Sequence, residues 1–523
     1  MTFFASSGLK ALICKMEFTL FNKFCEKFVR YGVYMQDIRK LIMALLTLLS
    51  CGQLLAQSHD LVFPKSDQFF FGVSNAPSQV EDGLDDIWMQ FARDGHIPAF
   101  DNYARPEERI GFWSDPEKEI LFAKENKMEV FRLGVDWQRL FPKSGELDRQ
   151  ALEHYRKILK LIKANGMKVM LTLFHHTETH YTFRMGSWHN PKMIDEFRIF
   201  WQIVLNELGD DIDYLVTFNE GQIYVLMARV VGIWPHPTKP NALNLFNIGP
   251  FKGLYEKSLL NMAKSHREIY EYSKARKFKF QIGFAHNMAN YDGKGLLSKI
   301  GIWMSWRKFN LKLADLLAPY LDFFGINYYG VEVLKGTTVG FDPKVEYSDS
   351  GRGIDPKGLY KILTRMHDRY NVKGKFRPKK APKLPFIITE NGIADELDWY
   401  RPLYIAEHLA AIHQAMKDGV KVLGYIQWTL TDNFEWADGY CPKFGLSAID
   451  RETFERQPRG SLAIYKRLIE TRTITGYERD TYFANLMSKT GQLRPMCRHE
   501  DGKTSLREPR WLPVGDIDWR FRL

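Results

Sequence analysis

The chain has 523 residues, 45 % hydrophobic and 26 % charged, values that exclude a chain too polar to bury a core and fit a large α/β barrel with insertions. The formal charge of +11 permits attraction to anionic surfaces such as lipid headgroups. No zinc-finger spacing or RNA-binding signature accompanies it, so nucleic acid is excluded as an expected partner. Aromatic content is 14 %, with 13 Trp and 37 Phe; flat rings of this kind serve a large core or stack on sugars.

Residues 1–57 read as an N-terminal extension. Arg39 and Lys40 precede an apolar run from Leu41 to about Ala56, the pattern of a secretory signal. The run is shorter than the roughly 20 residues that a spanning helix prefers. The expectation is an exported chain, secreted or periplasmic, with a retained N-terminal membrane anchor as the alternative. The five cysteines, Cys14, Cys25, Cys51, Cys441 and Cys497, show no CxxC spacing and no regular framework. Neither a structural metal nor a disulfide scaffold is inferred from them.

Eight short β-branched and aromatic runs follow in order: Phe69–Ser74, Glu129–Val135, Lys168–Phe174, Tyr214–Asn219, Phe280–His286, Phe323–Tyr329, Pro385–Glu390 and Val422–Leu430. Amphipathic stretches separate most of them. In Arg149–Asn165, for example, Leu152, Tyr155, Ile158, Leu159 and Ile162 recur at helical spacing, and Gly166 stands where the helix should end. An eightfold β-then-α alternation predicts a single (β/α)8 TIM barrel over residues 58–480, with extended βα loops at about 231–255 and 331–357. A doubly wound nucleotide-binding sheet is disfavoured because no GxGxxG follows a strand. Residues 481–523 form a basic C-terminal tail carrying Arg494, Arg498, Arg507, Arg510, Arg520 and Arg522. It is read as a solvated basic face that leaves open contact with a membrane surface.

Polar residues gather at the carboxyl ends of these strands, where such barrels build their sites. Arg132 lies in strand two, His175 and His176 follow strand three, and Asn219 and Glu220 end strand four. Asn327 and Tyr329 end strand six, Glu390 ends strand seven, and Trp428 ends strand eight. Any one of these could be a structural cap, but their convergence argues for a site. Two glutamates suit glycoside cleavage: one carboxylic acid protonates the leaving oxygen while one carboxylate attacks the anomeric carbon. Arg132 and Tyr329 are placed in chain order to keep the nucleophile ionised.

Thr217-Phe218-Asn219-Glu220 resembles the TFNEP signature of glycoside hydrolase family 1, and Ile388-Thr389-Glu390-Asn391-Gly392 resembles its ITENG signature. The stretch WTLTDNFEW from Trp428 to Trp436 is similar to the family's sugar-binding segment, and Ser78–Glu81 to its N-terminal element. The resemblance implies a (β/α)8 retaining β-glycosidase acting on a β-galactoside or β-glucoside without an essential metal or other cofactor. It implies Glu220 as acid/base and Glu390 as nucleophile. Asn219 would grip the sugar 2-hydroxyl, and Arg132, Asn327 and Tyr329 would support the nucleophile. Gln79, His175, Glu435 and Trp436 would bind the sugar, with Trp428 as its stacking platform. Gly221 replaces the proline of the NEP motif.

Within the family, MKVMLTLFHH, GINYYG, YSDSGRG and the tail ending in Trp519-Arg520-Phe521 resemble the plant SENSITIVE-TO-FREEZING-type galactolipid:galactolipid galactosyltransferases. That likeness implies a glycolipid substrate, with a galactosyl unit passed to another galactolipid instead of to water. Two other readings stand beside it. One is a non-catalytic sugar- or lipid-binding barrel, against which both carboxylates argue. The other is a metal-dependent hydrolase using His175, His176 and His180; adjacent strand-end histidines are expected to point to opposite sides, and an acidic ligand at proper spacing is missing.

Overall fold

The computed structural model describes residues 60–103, 105–236, 239–245, 253–336, 338–502 and 504–523. The expected export signal at residues 35–57 lies outside them. Eight parallel strands close into a barrel: β1 (Phe70–Ser74), β2 (Val130–Gly134), β3 (Lys168–Phe174), β4 (Tyr214–Asn219), β5 (Gln281–Asn287), β6 (Phe324–Tyr328), β7 (Phe386–Asn391) and β8 (Val422–Gln427). Helices follow the strands: α1 (Pro116–Glu125), α2 (Arg149–Ala164), α3 (Met193–Leu208), α4 (Leu254–Arg276), α5 (Leu296–Ser305) with a second helix Lys312–Leu317 between it and β6, α6 (Pro356–His367), α7 (Arg401–Lys417) and α8 (Gly460–Thr471).

Local chemistry accounts for these elements. Helix α2 starts because the Asp148 carboxylate accepts the Ala151 amide at 2.9 Å and ends at Asn165 before Gly166, which has φ +78°. Its periodic residues Leu152, Tyr155, Ile158, Leu159 and Ile162 are all buried. Strand β8 ends at Gln427, short of the expected Leu430. From Thr429 the backbone bonds instead to the loop that returns past it, with Leu446 N donating to Thr429 O at 2.9 Å.

The interior is layered. Phe70, Val130, Met170, Val216, Ile387 and Ile426 pack together in an apolar layer. Two residues further along β2 and β3 the inward positions become Arg132 and Thr172, which bond to each other at 3.2 Å. The switch from apolar to polar marks the floor of the carboxyl-end site.

Insertions extend the loops after β4 and β6 as expected, and after β6 Val331–Lys335 pairs with Thr338–Val339 and Asn290–Asp292. A further insertion, not anticipated, follows β5 and carries α5. The tail is folded: Leu493–Arg498 (β9) and Ser505–Pro513 (β10) form an antiparallel hairpin. A disulfide joins Cys497 of β9 to Cys441 in the loop after β8, with Cα atoms 5.8 Å apart. The cysteine spacing could not reveal this bond, because its partners meet only when the tail folds back on that loop. The solvated-face reading of the tail is likewise corrected. Arg494 is buried between Glu346 and Asp349, at 2.9 and 3.0 Å, and Arg498 pairs with Asp438 at 2.6 Å; Arg507 and Arg522 remain exposed. The described residues divide into two units, Phe63–Arg472 with Phe483–Leu523, and Asp60–Val62 with Thr473–Tyr482. In the latter, Leu61–Val62 pairs antiparallel with Thr473–Ile474.

Candidate active site

Two irregularities in the strands aim the chemistry. Along β7 the register against β6 shifts between Ile388 and Glu390, so one extra residue of β7 opposes β6. Thr389 faces inward, bonding Asn327 at 2.7 Å, and the bulge turns Glu390 inward as well. A second shift lies between Val216 and Asn219 of β4. Strict alternation would send Asn219 out with Thr217, whose hydroxyl meets His266 of α4 at 2.7 Å; the shift brings Asn219 into the barrel instead.

The two glutamates occupy different surroundings in one cavity. Glu390 Oε1 accepts from Arg132 Nη1 at 2.6 Å, and its Oε2 accepts from the Tyr329 hydroxyl at 2.6 Å. Burial raises this carboxyl, but Arg132, Tyr329 and Asn327 oppose the rise, and a guanidinium in contact favours the carboxylate. Among the described residues Glu220 accepts side-chain hydrogen bonds from neutral amides, Asn327 Nδ2 at 2.8 Å and Asn287 Nδ2 at 3.1 Å, with the His176 ring 3.9 Å away. Burial, reinforced by the nearby Glu390 charge, pushes it up to about 7. The guanidinium contact thus favours the charge on Glu390, whereas Glu220, raised to about 7, is the one that holds a proton near neutrality.

Arg132 also donates to Asn219 Oδ1 at 2.7 Å, and Asn327 to the same oxygen at 3.0 Å. Asn219 Nδ2 faces His175 Nε2 at 2.9 Å and His176 Nε2 at 3.4 Å. The two histidines thus do not point to opposite sides. His176 adopts φ +61°, which breaks the strand alternation and turns both rings toward the cavity. Burial lowers both, His176 to about 3, so they are neutral hydrogen-bonding groups. His180 lies apart, opening a short helix, its ring against the Asp85 carbonyl at 3.0 Å.

Trp428, Glu435 and Trp436 line the cavity. Trp428 Nε1 donates to Glu435 Oε1 at 3.2 Å, and burial drives Glu435 well above the usual carboxylate range. Gln79 sits behind this wall, fully buried, with its Nε2 donating to the Phe434 carbonyl at 2.7 Å. Its Oε1 has no protein partner among the described residues. Two glycines of the motifs have steric reasons. A Cβ on Gly392 would collide with the Trp428 carbonyl oxygen, and one on Gly221 would stand 2.8 Å from Met262 Sδ, which would have to move aside.

The cavity also contains groups that sequence reasoning missed. Asn287 closes β5 one residue beyond the expected strand end, and the rule that polar strand ends build the site would have found it. Ile223, Met227, Ile233 and Trp234 form an apolar wall, and Arg352 and Arg498 a cationic one. Ile223 and Met227 stand on the helical turns that follow β4, Ile233 and Trp234 in the insertion beyond them, Arg352 in the insertion after β6 and Arg498 in the tail, so no single strand end marks them.

The glycosyl hydrolase family 1 profile matches residues 60–294 and 306–474. The chain is 36 % identical to the galactolipid galactosyltransferase SFR2, chloroplastic, of Arabidopsis thaliana, over 87 % of this chain and 82 % of that one. It is 27 % identical to beta-glucosidase A of Acetivibrio thermocellus, over 78 % and 98 % of the two chains. The solved beta-glucosidase of Pyrococcus furiosus superposes with a TM-score of 0.69 at 26 % identity, covering 80 % of this chain and 98 % of that one. With both carboxylates in place at the mouth of a closed barrel, the chain belongs to glycosyl hydrolase family 1 and is an enzyme of the glycosidase or transglycosidase type.

Proposed function

We propose that the chain is a retaining β-galactosidase-type enzyme that acts on a glycolipid by double displacement and passes the galactosyl unit to a second glycolipid. The observation that carries the chemistry is the unequal carboxylate pair, Glu390 held by Arg132 and Tyr329, Glu220 by neutral amides. Glu390 attacks the anomeric carbon, and the bond to the leaving oxygen breaks as Glu220 delivers its proton there. Formation of the ester removes the Glu390 charge that helped hold the proton on Glu220, so Glu220 becomes the more acidic for the second half-reaction. There it takes the proton of the incoming hydroxyl as that oxygen attacks the anomeric carbon and Glu390 departs. Asn219 and the neutral Glu435, with Trp428 beneath, are assigned to the sugar.

A lipid-linked substrate is favoured by the apolar wall of Ile223, Met227, Ile233 and Trp234 in the same cavity. It is favoured also by the 36 % identity to a galactolipid galactosyltransferase. The same proposal has the chain leave the cytosol through its N-terminal segment, in keeping with the Cys441–Cys497 bond. Incubation of the purified chain with monogalactosyl diacylglycerol, followed by mass spectrometry, tests the reaction. Oligogalactolipids with diacylglycerol are the expected products. Free galactose would overturn transfer in favour of hydrolysis, and an inert glycolipid would overturn the substrate assignment.

A further inference from the structure

We propose that α5 is a docking element that lays the enzyme on an anionic lipid surface beside the mouth of its active site. The proposal builds on the glycolipid reading, because it names how a membrane-resident substrate is reached, but it stands on separate observations.

Helix α5 carries Leu296, Leu297, Ile300 and Trp303, exposed by 75, 67, 45 and 61 %. Their spacing of i, i+1, i+4 and i+7 places them on one stripe, while Ser298 and Gly301 face the protein and are buried. A folded chain rarely leaves four large apolar side chains on one helix in water unless something covers them. The charge pattern says what does. Between Gly293 and Lys312 the sequence has no acidic residue and five cations, Lys294, Lys299, Arg307, Lys308 and Lys312. Lys294 and Lys312 pair with Asp342 and Glu256 at 3.1 and 2.6 Å, whereas Lys299 and Arg307 are exposed, and the Arg307 guanidinium lies 5.1 Å from the Trp303 ring centre. An apolar stripe with tryptophan at its edge and a cationic fringe is the pattern of a helix lying in the headgroup layer of an anionic membrane. Among the described residues no helix is long and apolar enough to cross a membrane, so the contact is with one face of the bilayer.

Position ties the helix to catalysis. It belongs to the loop that follows β5, whose last residue, Asn287, holds Glu220, so it rises from the catalytic end of the barrel. Lys308 Nζ donates to the Leu245 carbonyl at 2.9 Å, linking the base of this insertion to the segment that bears Leu243, 60 % exposed, and, further back along the chain, the cavity residue Ile233. The glycosyl hydrolase family 1 profile stops at residue 294 and resumes at 306. The segment it omits is α5, an addition to the barrel that the shared sugar chemistry does not require. The sequence had pointed to the basic tail for membrane contact, but Arg494 is buried against Glu346 and Arg498 is paired with Asp438, which takes two of the tail's cations out of such a contact.

Hydrogen–deuterium exchange of the full chain, with and without vesicles lacking any glycolipid, tests the proposal. With phosphatidylglycerol vesicles, exchange across residues 294–308 is expected to slow by about tenfold or more, and less with phosphatidylcholine alone. A chain carrying L296S, L297S and W303S should lose that protection while cleaving a soluble aryl glycoside at the wild-type rate. Unchanged exchange over 294–308 on vesicles would overturn the assignment, wherever else the chain binds. Protection that appears without vesicles as protein concentration rises would also overturn it, in favour of a second copy of the chain on this face. Wild-type docking through α5 together with inertness toward every glycoside would instead sink the catalytic reading and leave the docking intact.

Discussion

Glu220 and Glu390 share burial and a barrel, yet one guanidinium separates their roles. Replacing Glu390 with Gln should lower kcat by about 10⁴-fold or more, read on an activated aryl glycoside. Glu220→Ala should cost about 10²- to 10⁴-fold on a poor leaving group, and azide should restore turnover of an aryl glycoside whose leaving group needs no proton. Because Glu220 is raised to about 7 and must be protonated to act, kcat/KM should fall on the alkaline side, with a limb near pH 7. The same shift acts on stability with a defined sign. The folded state binds this proton more tightly than the unfolded chain, so the contribution is present below the ordinary glutamate range and lost as pH rises through about 7. Glu220→Gln should therefore raise the melting temperature more at pH 8 than at pH 5.

At the scale of the element, the site depends on departures from regular strands. The bulge in β7 and the register shift in β4 turn Glu390 and Asn219 inward, and the left-handed turn at Glu220, φ +46°, starts the helix behind it. Gly392 lets the β7 end approach the Trp428 carbonyl. Gly392→Ala should destabilise the fold by about 1–3 kcal/mol and raise KM by displacing Trp428, as denaturation and steady-state kinetics would show. The eight strands were legible because short β-branched runs bounded by helical periods leave little choice of architecture. The insertion carrying α5 was not. Its apolar stripe has the period of any core helix, and only the fold shows that the stripe faces out.

For the whole molecule, the tail is part of the catalytic end. The Cys441–Cys497 bond closes a loop of 56 residues and holds β9 against the loop that follows Trp428–Trp436, next to Arg498 and Asp438 in the cavity wall. Chain-entropy reasoning assigns such a crosslink about 4 kcal/mol. C441S/C497S should accordingly lower the melting temperature and raise KM for large aglycones, with a smaller effect on the cleavage of a small aryl glycoside.

The order of the strands and the residues at their carboxyl ends, Glu220 and Glu390 among them, follow from the sequence alone. Strand periodicity and motif spacing are local properties, carried by neighbours along the chain. Which way those residues face was decided only by tertiary structure. A one-residue bulge reverses the parity of Glu390 and of Asn219, and a left-handed His176 turns two adjacent rings to one side. Likewise the partner of Cys441, the burial of Arg494 and the exposure of α5 depend on what distant segments cover. No spacing within one segment records that, because it is the packing of the others that removes each surface from water or leaves it there.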